Sequence, residues 1–192
     1  ASAQTVKPAR VVDPGAGSGR FLAAAAAAFP AAALVAVEID PLAVLLLRAN
    51  AAVLGFAGRL HVVMDDYRDL VLAQIRGATL FIGNPPYVRH HQIEAKWKQW
   101  LAEEAAELDL TASKLAGLHA HFFLATARTA RPKDFGAFIT ASEWLDVNYG
   151  SLVRSLMLDH LGGTSVTVID PKAQPFPDAA TTAAISTFSI GS

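Results

Sequence analysis

The sequence predicts an α/β domain built on a mostly parallel sheet, and three observations support this fold class. Short runs of aliphatic and β-branched residues alternate with helix-length segments from end to end, which is typical of strands joined by crossover helices. Pro41 and Gly55 bracket one of these segments and fit the first helical position and the position just past a helix end. A hydrophobic content of 53% over 192 residues supplies a large core for one domain.

The pattern predicts seven strands and five helices, with helices on both faces of the sheet. The strands are expected at residues 10–13, 34–39, 60–64, 79–83, 137–140, 165–169 and 184–188. The helices are expected at residues 20–29, 41–54, 94–108, 118–130 and 151–161. No helix-length pattern separates the last two strands, so the final pair is expected to be antiparallel or joined by a long loop.

The composition excludes several classes of protein. The chain has no cysteine, which excludes disulfides and thiolate metal sites and is compatible with a cytoplasmic location. Its longest apolar run, residues 21–29, is much shorter than the roughly 20 residues of a membrane span, and no signal-peptide pattern precedes it. A net charge of −1 counts mildly against tight nucleic-acid binding by this chain itself.

A glycine-rich turn, residues 13–19 (Asp-Pro-Gly-Ala-Gly-Ser-Gly), follows the first predicted strand and precedes a helix. Glycines at this point let a ligand approach the backbone at the helix N-terminus. The turn does not fit a dinucleotide fingerprint, because Arg20 stands where that fingerprint needs a glycine. Asp13 would also repel a pyrophosphate, whereas a carboxylate suits a ligand that carries an ammonium group.

Acidic side chains follow the next two predicted strands. Glu38 is expected to accept hydrogen bonds from ribose hydroxyls, as an acid at this place in the fold class does. Asp40, directly before Pro41, fits the role of helix N-cap better. Either Asp65 or Asp66 is expected to accept a hydrogen bond from an adenine amino group, because open α/β sheets bind ligands at the carboxyl ends of their strands.

The fourth predicted strand ends in Asn84-Pro85-Pro86-Tyr87, a sequence suited to methylation of a planar amino group. Such a nitrogen is a poor nucleophile because its lone pair is delocalised, and two acceptors on its hydrogens favour a pyramidal, more reactive form. The Asn84 side-chain oxygen and the Pro85 carbonyl can serve as these acceptors. The two prolines restrict the backbone of the residues before them and so preorganise both acceptors. Tyr87 offers a flat face on which a base can stack.

Together these motifs resemble the class I methyltransferases that use S-adenosylmethionine. In that family the glycine loop contacts the methionine part of the cofactor, the acid after the second strand binds the ribose, and an Asp followed by an aromatic residue contacts the adenine. The resemblance therefore implies a Rossmann-like class I methyltransferase fold, with S-adenosylmethionine as methyl donor. The implied cofactor-binding residues are Asp13, Pro14, Gly15, Ala16, Gly17, Gly19, Glu38, Ile39, Asp66 and Tyr67.

Downstream segments resemble more closely the gamma-type N6-adenine DNA methyltransferases of restriction-modification and phage-defence systems. They are Pro-Tyr-Val-Arg-His-His after Pro85, the helix at residues 118–124, the strand at residues 136–140 with Ser-Glu-Trp-Leu after it, and Phe176-Pro177. The resemblance implies that Phe123, with Phe122 as the second choice, packs against the cofactor adenine. It also implies that Phe176 contacts the flipped base opposite Tyr87, and Arg89 is predicted to bind substrate.

Other readings stay open at this stage. The Asn-Pro-Pro-Tyr motif also occurs in methyltransferases that act on glutamine in release factors or on RNA, and a non-catalytic nucleoside-binding module would keep the same fold. Compared with the family, the chain is expected to lack an upstream cofactor segment and a target-recognition region. DNA would then be bound through a recognition domain absent from this chain, in a restriction-system subunit or a protein with a fused endonuclease. His119 and His121 point in different directions on a helix, so no metal is expected.

Overall fold

A seven-stranded mixed sheet forms the centre of the computed structural model, which describes residues 7–170 and 182–191. The strands are β1 (Arg10–Pro14), β2 (Ala33–Val37), β3 (Leu60–Val63), β4 (Thr79–Gly83), β5 (Phe135–Ala141), β6 (Gly163–Val168) and β7 (Ala183–Ser189). Their order is β3-β2-β1-β4-β5-β7-β6, and β7 runs antiparallel to both of its neighbours. The predicted α/β class and the antiparallel last strand are confirmed.

Five helices connect these strands. They are α1 (Arg20–Ala28), α2 (Pro41–Val53), α3 (Ala95–Ala106), α4 (Leu118–Thr129) and α5 (Ser151–Ser155). Asp40 caps α2 by accepting a hydrogen bond from the Leu42 amide at 2.9 Å, and Gly55 follows the helix with a φ of +76°, as predicted. The last predicted helix is divided, because α5 continues as a π-helical turn over Leu156–His160.

The helices cover both faces of the sheet, as predicted. On one face α1 and α2 pack against alternate strand residues, with Leu22 and Leu47 buried next to Val11 and Leu34. On the other face α3, α4 and α5 enclose a larger core built from the remaining strand residues. That core contains the buried aromatic side chains Tyr67, Phe81, Phe122, Phe123, Phe138, Trp144 and Phe188.

The centre of the sheet is the point where the strand order reverses. β1 lies between β2 and β4 and is parallel to both, so the loops that leave these strands diverge to opposite sides. In open α/β sheets a crevice at the carboxyl ends of such strands is the usual ligand site. Within the described residues no helix is long and apolar enough to cross a membrane.

Candidate active site

The glycine loop after β1 adopts a conformation that only glycine accommodates easily. Gly15, Gly17 and Gly19 have φ values of +70°, +53° and +82°. The amides of Gly15 and Ala16 donate to the Val37 carbonyl at 2.9 and 3.0 Å, which ties the loop to the end of β2. The loop is therefore fixed at the point where the strand order reverses, with its backbone close to the adjoining strand ends.

Glu38 lies directly after β2 and holds the glycine loop in place. One of its carboxylate oxygens accepts from the Gly17 amide at 2.8 Å, and the other accepts from the Asp40 amide at 2.9 Å. The side chain is half-buried, and each oxygen keeps capacity for a further hydrogen bond. Ile39 beside it, two residues after the end of β2, is 68% exposed and lies in the cavity lining.

Asp13 is buried near the end of β1, two residues before the cavity-lining Gly15. It is fully inaccessible, and neither carboxylate oxygen has a hydrogen-bond partner among the described residues. Gly83 at the end of β4 makes this placement possible, because a Cβ there would lie 2.9 Å from an Asp13 oxygen. Burial, together with the nearby charge of Glu38, holds the pKa of Asp13 well above its ordinary value.

A cavity of about 200 Å³ opens where these strand ends meet. It lies between the glycine loop, the residues that follow β2, β3 and β4, and the start of α4. It thus brings together residues predicted from five separate segments of the sequence. Its lining residues are Gly15, Val37, Glu38, Ile39, Asp65, Asp66, Tyr67, Arg68, Asn84, Pro86, Leu118 and Phe122.

Asp66, rather than Asp65, is the structurally defined carboxylate after β3. Its two oxygens accept hydrogen bonds from the Arg68 side chain at 2.8 and 2.5 Å and from the Arg68 amide at 2.9 Å. Burial raises the pKa of Asp66, but the hydrogen bonds and charge of Arg68 outweigh burial and leave that pKa below its ordinary value. Asp66 is therefore an ionised acceptor in the cavity wall.

Two aromatic rings line the cavity, and one of them differs from the prediction. Tyr67 is buried, donates or accepts a 2.8 Å hydrogen bond with the Thr126 hydroxyl, and lies 5.3 Å from the ring of Phe122. Phe123 is fully buried in the core instead, with its ring 5.4 Å from Phe138. Of the two predicted residues, Phe122, the second choice, lines the cavity and Phe123 does not, because adjacent helical residues point about 100° apart.

The Asn-Pro-Pro-Tyr segment leaves the end of β4 as a fixed loop. The Asn84 side-chain oxygen is buried and has no hydrogen-bond partner among the described residues. The Val88 amide donates to the Pro86 carbonyl at 3.0 Å, and the Val88 carbonyl accepts from the Leu118 amide at 3.0 Å, so α4 anchors the loop. The Asn84 acceptor is therefore held in the cavity wall without being used by the fold.

The other predicted substrate residues lie further out. Tyr87 is 43% exposed and is not part of the cavity lining, and Arg89 is exposed in the same segment. Phe176 lies outside the described residues. The loop thus presents Tyr87 and Arg89 at the surface beside the cavity, where a large substrate would meet them.

Comparison with known proteins identifies the family. A model of the Eco57I restriction-modification methylases matches residues 72–172, and a methyltransferase small domain model matches residues 2–114. The chain belongs to the Eco57I restriction-modification methylase family. The first match includes the Asn84 loop. The second includes the glycine loop, Glu38 and Asp66. All these parts of the site therefore fall within segments that a family model matches.

Individual relatives agree with this assignment. The methylase is 57% identical over 96% of its length to the type II methyltransferase M.XamI of Xanthomonas campestris pv. amaranthicola, and it spans 35% of that protein. It is 34% identical over 43% of its length to the tRNA1(Val) (adenine(37)-N6)-methyltransferase of Porphyromonas gingivalis, covering 33% of it.

A solved structure shows the same fold. The type I restriction-modification system methyltransferase subunit from Streptococcus thermophilus superposes with a TM-score of 0.76 at 14% identity, over 98% of the methylase and 41% of that chain. The predicted class I methyltransferase fold is confirmed. The chain spans about a third of the length of M.XamI, the first of these relatives.

Two histidines lie on α4 beside the site, the partly exposed His119 and the fully buried His121. Within the described residues no group of three His, Asp or Glu side chains could bind a metal ion. Burial lowers the pKa of His119 to about 4. Burial, reinforced by the charge of Arg68, lowers the pKa of His121 to about 3. His121 stacks on Trp100 with a centroid distance of 5.7 Å, so both histidines are neutral parts of the packing at neutral pH.

The methylase is expected to lose stability in mild acid because of these histidines. The unfolded chain binds protons near pH 6.5 and the folded chain does not, so the free energy of unfolding falls by about 1.4 kcal/mol per pH unit for each histidine as pH drops below 6.5. In His121→Phe, which keeps a ring against Trp100, the loss between pH 6.5 and 5.0 should be smaller by about 2 kcal/mol. Urea unfolding at both pH values measures this difference, and equal losses in the two proteins would contradict it.

Proposed function

We propose that the methylase transfers a methyl group from S-adenosylmethionine to the N6 amino group of an adenine flipped out of DNA. The observation that carries this proposal is the buried, unused acceptor of Asn84 beside a cavity that has acids and aromatic rings in its wall. A nucleoside with hydroxyls, an amino group and a flat base matches such a wall. The Pro85 carbonyl, next in the chain, supplies the second acceptor for the target amino group.

The site fits the methyl donor, which carries an activated methyl group on a sulfonium sulfur. Glu38 would accept from the ribose hydroxyls, Asp66 from the 6-amino group, and Phe122 with Tyr67 would pack against the adenine ring. Asp13 would hold the ammonium group, either directly or through water, which explains a buried carboxylate without a partner. The cavity, at about 200 Å³, is smaller than the ~300–1,000 Å³ of sites that enclose a whole ligand, so it would take the nucleoside part.

The chemistry follows from the two acceptors. Asn84 Oδ1 and the Pro85 carbonyl accept the two hydrogens of the target amino group and favour a pyramidal nitrogen whose lone pair points at the methyl carbon. That nitrogen attacks the methyl carbon in line, the carbon–sulfur bond breaks, and the surplus proton passes to solvent. Tyr87 stacks on the base, a contact worth roughly 1–3 kcal/mol, and the base must leave the duplex to reach the site.

The choice of substrate rests on the relatives. M.XamI is by its name a type II methyltransferase, which supports DNA, and the Porphyromonas relative methylates an adenine N6, which supports the same amino group. That second relative acts on tRNA, so RNA is the alternative substrate that a specific observation favours. A net charge of −1 supplies no strong attraction for nucleic acid, so tight binding to DNA is expected to need contacts beyond those of this chain.

Transfer of a tritiated methyl group tests the proposal directly. The methylase would be incubated with labelled S-adenosylmethionine and either mixed-sequence DNA, tRNA or a release factor. Incorporation into DNA, with the label recovered as N6-methyladenine after digestion, is the expected result. Label in cytosine, in tRNA alone or in the release factor would overturn the DNA-adenine assignment, and cofactor binding without transfer to any of them would favour a non-catalytic module.

Substitution of the adjacent residues Phe122 and Phe123 on α4 should affect cofactor binding and stability separately. Phe122→Ala is expected to weaken S-adenosylmethionine binding, because it removes the ring that lines the cavity. Phe123→Ala removes a fully buried ring and should lower the free energy of unfolding by about 3–5 kcal/mol with a smaller effect on affinity in the folded fraction. Calorimetric titration and urea unfolding of both variants measure the two effects, and the reverse pattern would restore Phe123 as the cofactor contact.

A further inference from the structure

Arg68 joins the acid of the cofactor cavity to the helix that follows the Asn84 loop. Its side chain is 8% exposed and makes two hydrogen bonds to the Asp66 carboxylate, in addition to the one from its own amide. On its other side the guanidinium carbon lies 3.5 Å from the ring centroid of Trp97 on α3. A third nitrogen lies 3.4 Å from His121 Nδ1 on α4, so three separate elements fix this one side chain.

Each of these contacts restricts Arg68 more than an ordinary ion pair would. The planar guanidinium lies against the flat Trp97 ring, which limits its rotation and directs its N–H groups to the edge. Two of those N–H groups face the two oxygens of Asp66, an arrangement that fixes the plane of the carboxylate. The outer lone pairs of the carboxylate are left for a ligand in the cavity that Asp66 and Arg68 both line.

We propose that Arg68 is a positioning residue that orients the Asp66 carboxylate as an acceptor for the 6-amino group of the cofactor's adenine, and that Trp97 holds Arg68 in that role. This inference rests on the proposed function, in which Asp66 contacts the adenine. In this proposal Asp66 and Arg68 together, rather than Asp66 alone, select a cofactor with a 6-amino purine over one with a 6-oxo purine. Trp97 makes α3 part of the cofactor site, although α3 itself does not line the cavity.

The reason that Asp66 needs this support is its partial burial. Burial alone raises the pKa of the carboxyl group, and the bonds and charge of Arg68, with a smaller contribution from His121, bring that pKa below its ordinary value. A protonated carboxyl has one oxygen that donates and can no longer accept fully from an amino group. Without Arg68 the carboxylate would lose the two side-chain bonds that fix its plane and lower its pKa, so the preference of the wall for a 6-amino over a 6-oxo group should weaken.

Two cofactor analogues test this assignment. S-adenosylhomocysteine carries the 6-amino group, whereas S-inosylhomocysteine carries a 6-oxo group and a proton on N1, so the ratio of their dissociation constants reports the contacts of this edge of the purine. The wild-type methylase is expected to prefer the 6-amino analogue by about 10- to 100-fold, the range for a hydrogen bond to a charged group. Arg68→Gln should lower that preference by about 10-fold or more, and Arg68→Lys, which keeps the charge without the fork, should fall between the two.

Arg128→Gln is the matched control. Arg128 lies over the other tryptophan of α3, 5.6 Å from the Trp100 centroid, and pairs with Glu104 at 2.7 Å, so it packs the same helices. It should keep the wild-type preference even if both affinities fall. Asp66→Asn should lose the preference, and adding Arg68→Gln to it should cause little further loss.

The outcomes separate the two proposals. An unchanged preference in both Arg68→Gln and Arg68→Lys, or an equal loss in Arg128→Gln, would overturn the role of Arg68. If Arg68→Gln fails to fold, Arg68→Lys and the pH dependence of its preference decide, since the preference should fall towards acid at a higher pH than in wild type. Failure of the wild-type protein to bind either analogue or to methylate any nucleic acid would instead overturn the proposed function.

Discussion

Asn84→Ala is expected to abolish methyl transfer while S-adenosylmethionine still binds. The substitution removes the buried acceptor that would make the target nitrogen reactive, and such preorganised polar groups contribute about 10²- to 10³-fold in rate. The substitution leaves the proposed cofactor contacts of Glu38, Asp66 and Phe122 in place, so the dissociation constant should stay within about 3-fold. Single-turnover transfer of a labelled methyl group and calorimetric titration with the cofactor measure the two quantities.

Asn50→Ala is the control for Asn84→Ala. Asn50 is also an asparagine near the site, but its side-chain N–H donates to the Ser18 carbonyl of the glycine loop at 2.9 Å. Its loss should loosen that loop and weaken cofactor binding, with the rate at saturating cofactor close to wild type. Full activity of Asn84→Ala, or a loss explained entirely by weaker cofactor binding, would exclude Asn84 from the chemical step.

Asp13→Asn is expected to stabilise the free methylase and to weaken its binding to the cofactor. The buried carboxylate has no partner, so its ionised form is unfavourable near neutral pH, and a neutral amide should raise the free energy of unfolding by about 1–3 kcal/mol. Affinity for S-adenosylmethionine should fall by about 1.5–3 kcal/mol, the value of a hydrogen bond to a charged group. Thermal unfolding with and without cofactor measures both effects.

The pH dependence of this variant has a defined sign. Because the folded pKa of Asp13 is raised, the stability that this residue contributes is fully present below its unfolded pKa and is lost as pH rises through the folded pKa. The gain from Asp13→Asn should therefore be larger at pH 8 than at pH 5, the opposite direction to the acid sensitivity caused by His121. A gain that is independent of pH would show that the folded carboxyl group is already ionised at pH 5, which would contradict its raised pKa.

The sequence was sufficient to predict residues whose roles are set by their position at a strand end. Glu38 and Asn84 each directly follow a strand, so the alternation of elements placed them at one edge of a parallel sheet before the strand order was known. Asp40 as N-cap and Gly55 as helix stop follow from local backbone chemistry in the same way. Such roles need only the strand boundaries and the chain direction.

Roles that depend on the direction of a side chain inside the core were not predictable. α4 is buried on nearly every side from Ala120 to Thr126, so its apolar pattern does not reveal which face meets the cavity, and Phe122 and Phe123 look equivalent in the sequence. The role of Arg68 was even less predictable from the sequence, since an arginine after a strand is commonly a solvated residue. Its role requires the 3.5 Å approach of Trp97, which lies 29 residues further along the chain and is brought close only by packing.

During folding, the site can form only after β1 has paired with β4. Asp13 and Asn84 are carried by these two strands, whose first paired residues, Arg10 and Thr79, are 69 positions apart, with β2 and β3 in between. Contacts this distant in sequence form late and slowly during folding. In a partly folded intermediate in which β1 and β4 are not yet paired, the proposed cofactor site has not formed. Cofactor binding should therefore slow unfolding without speeding the early steps of folding.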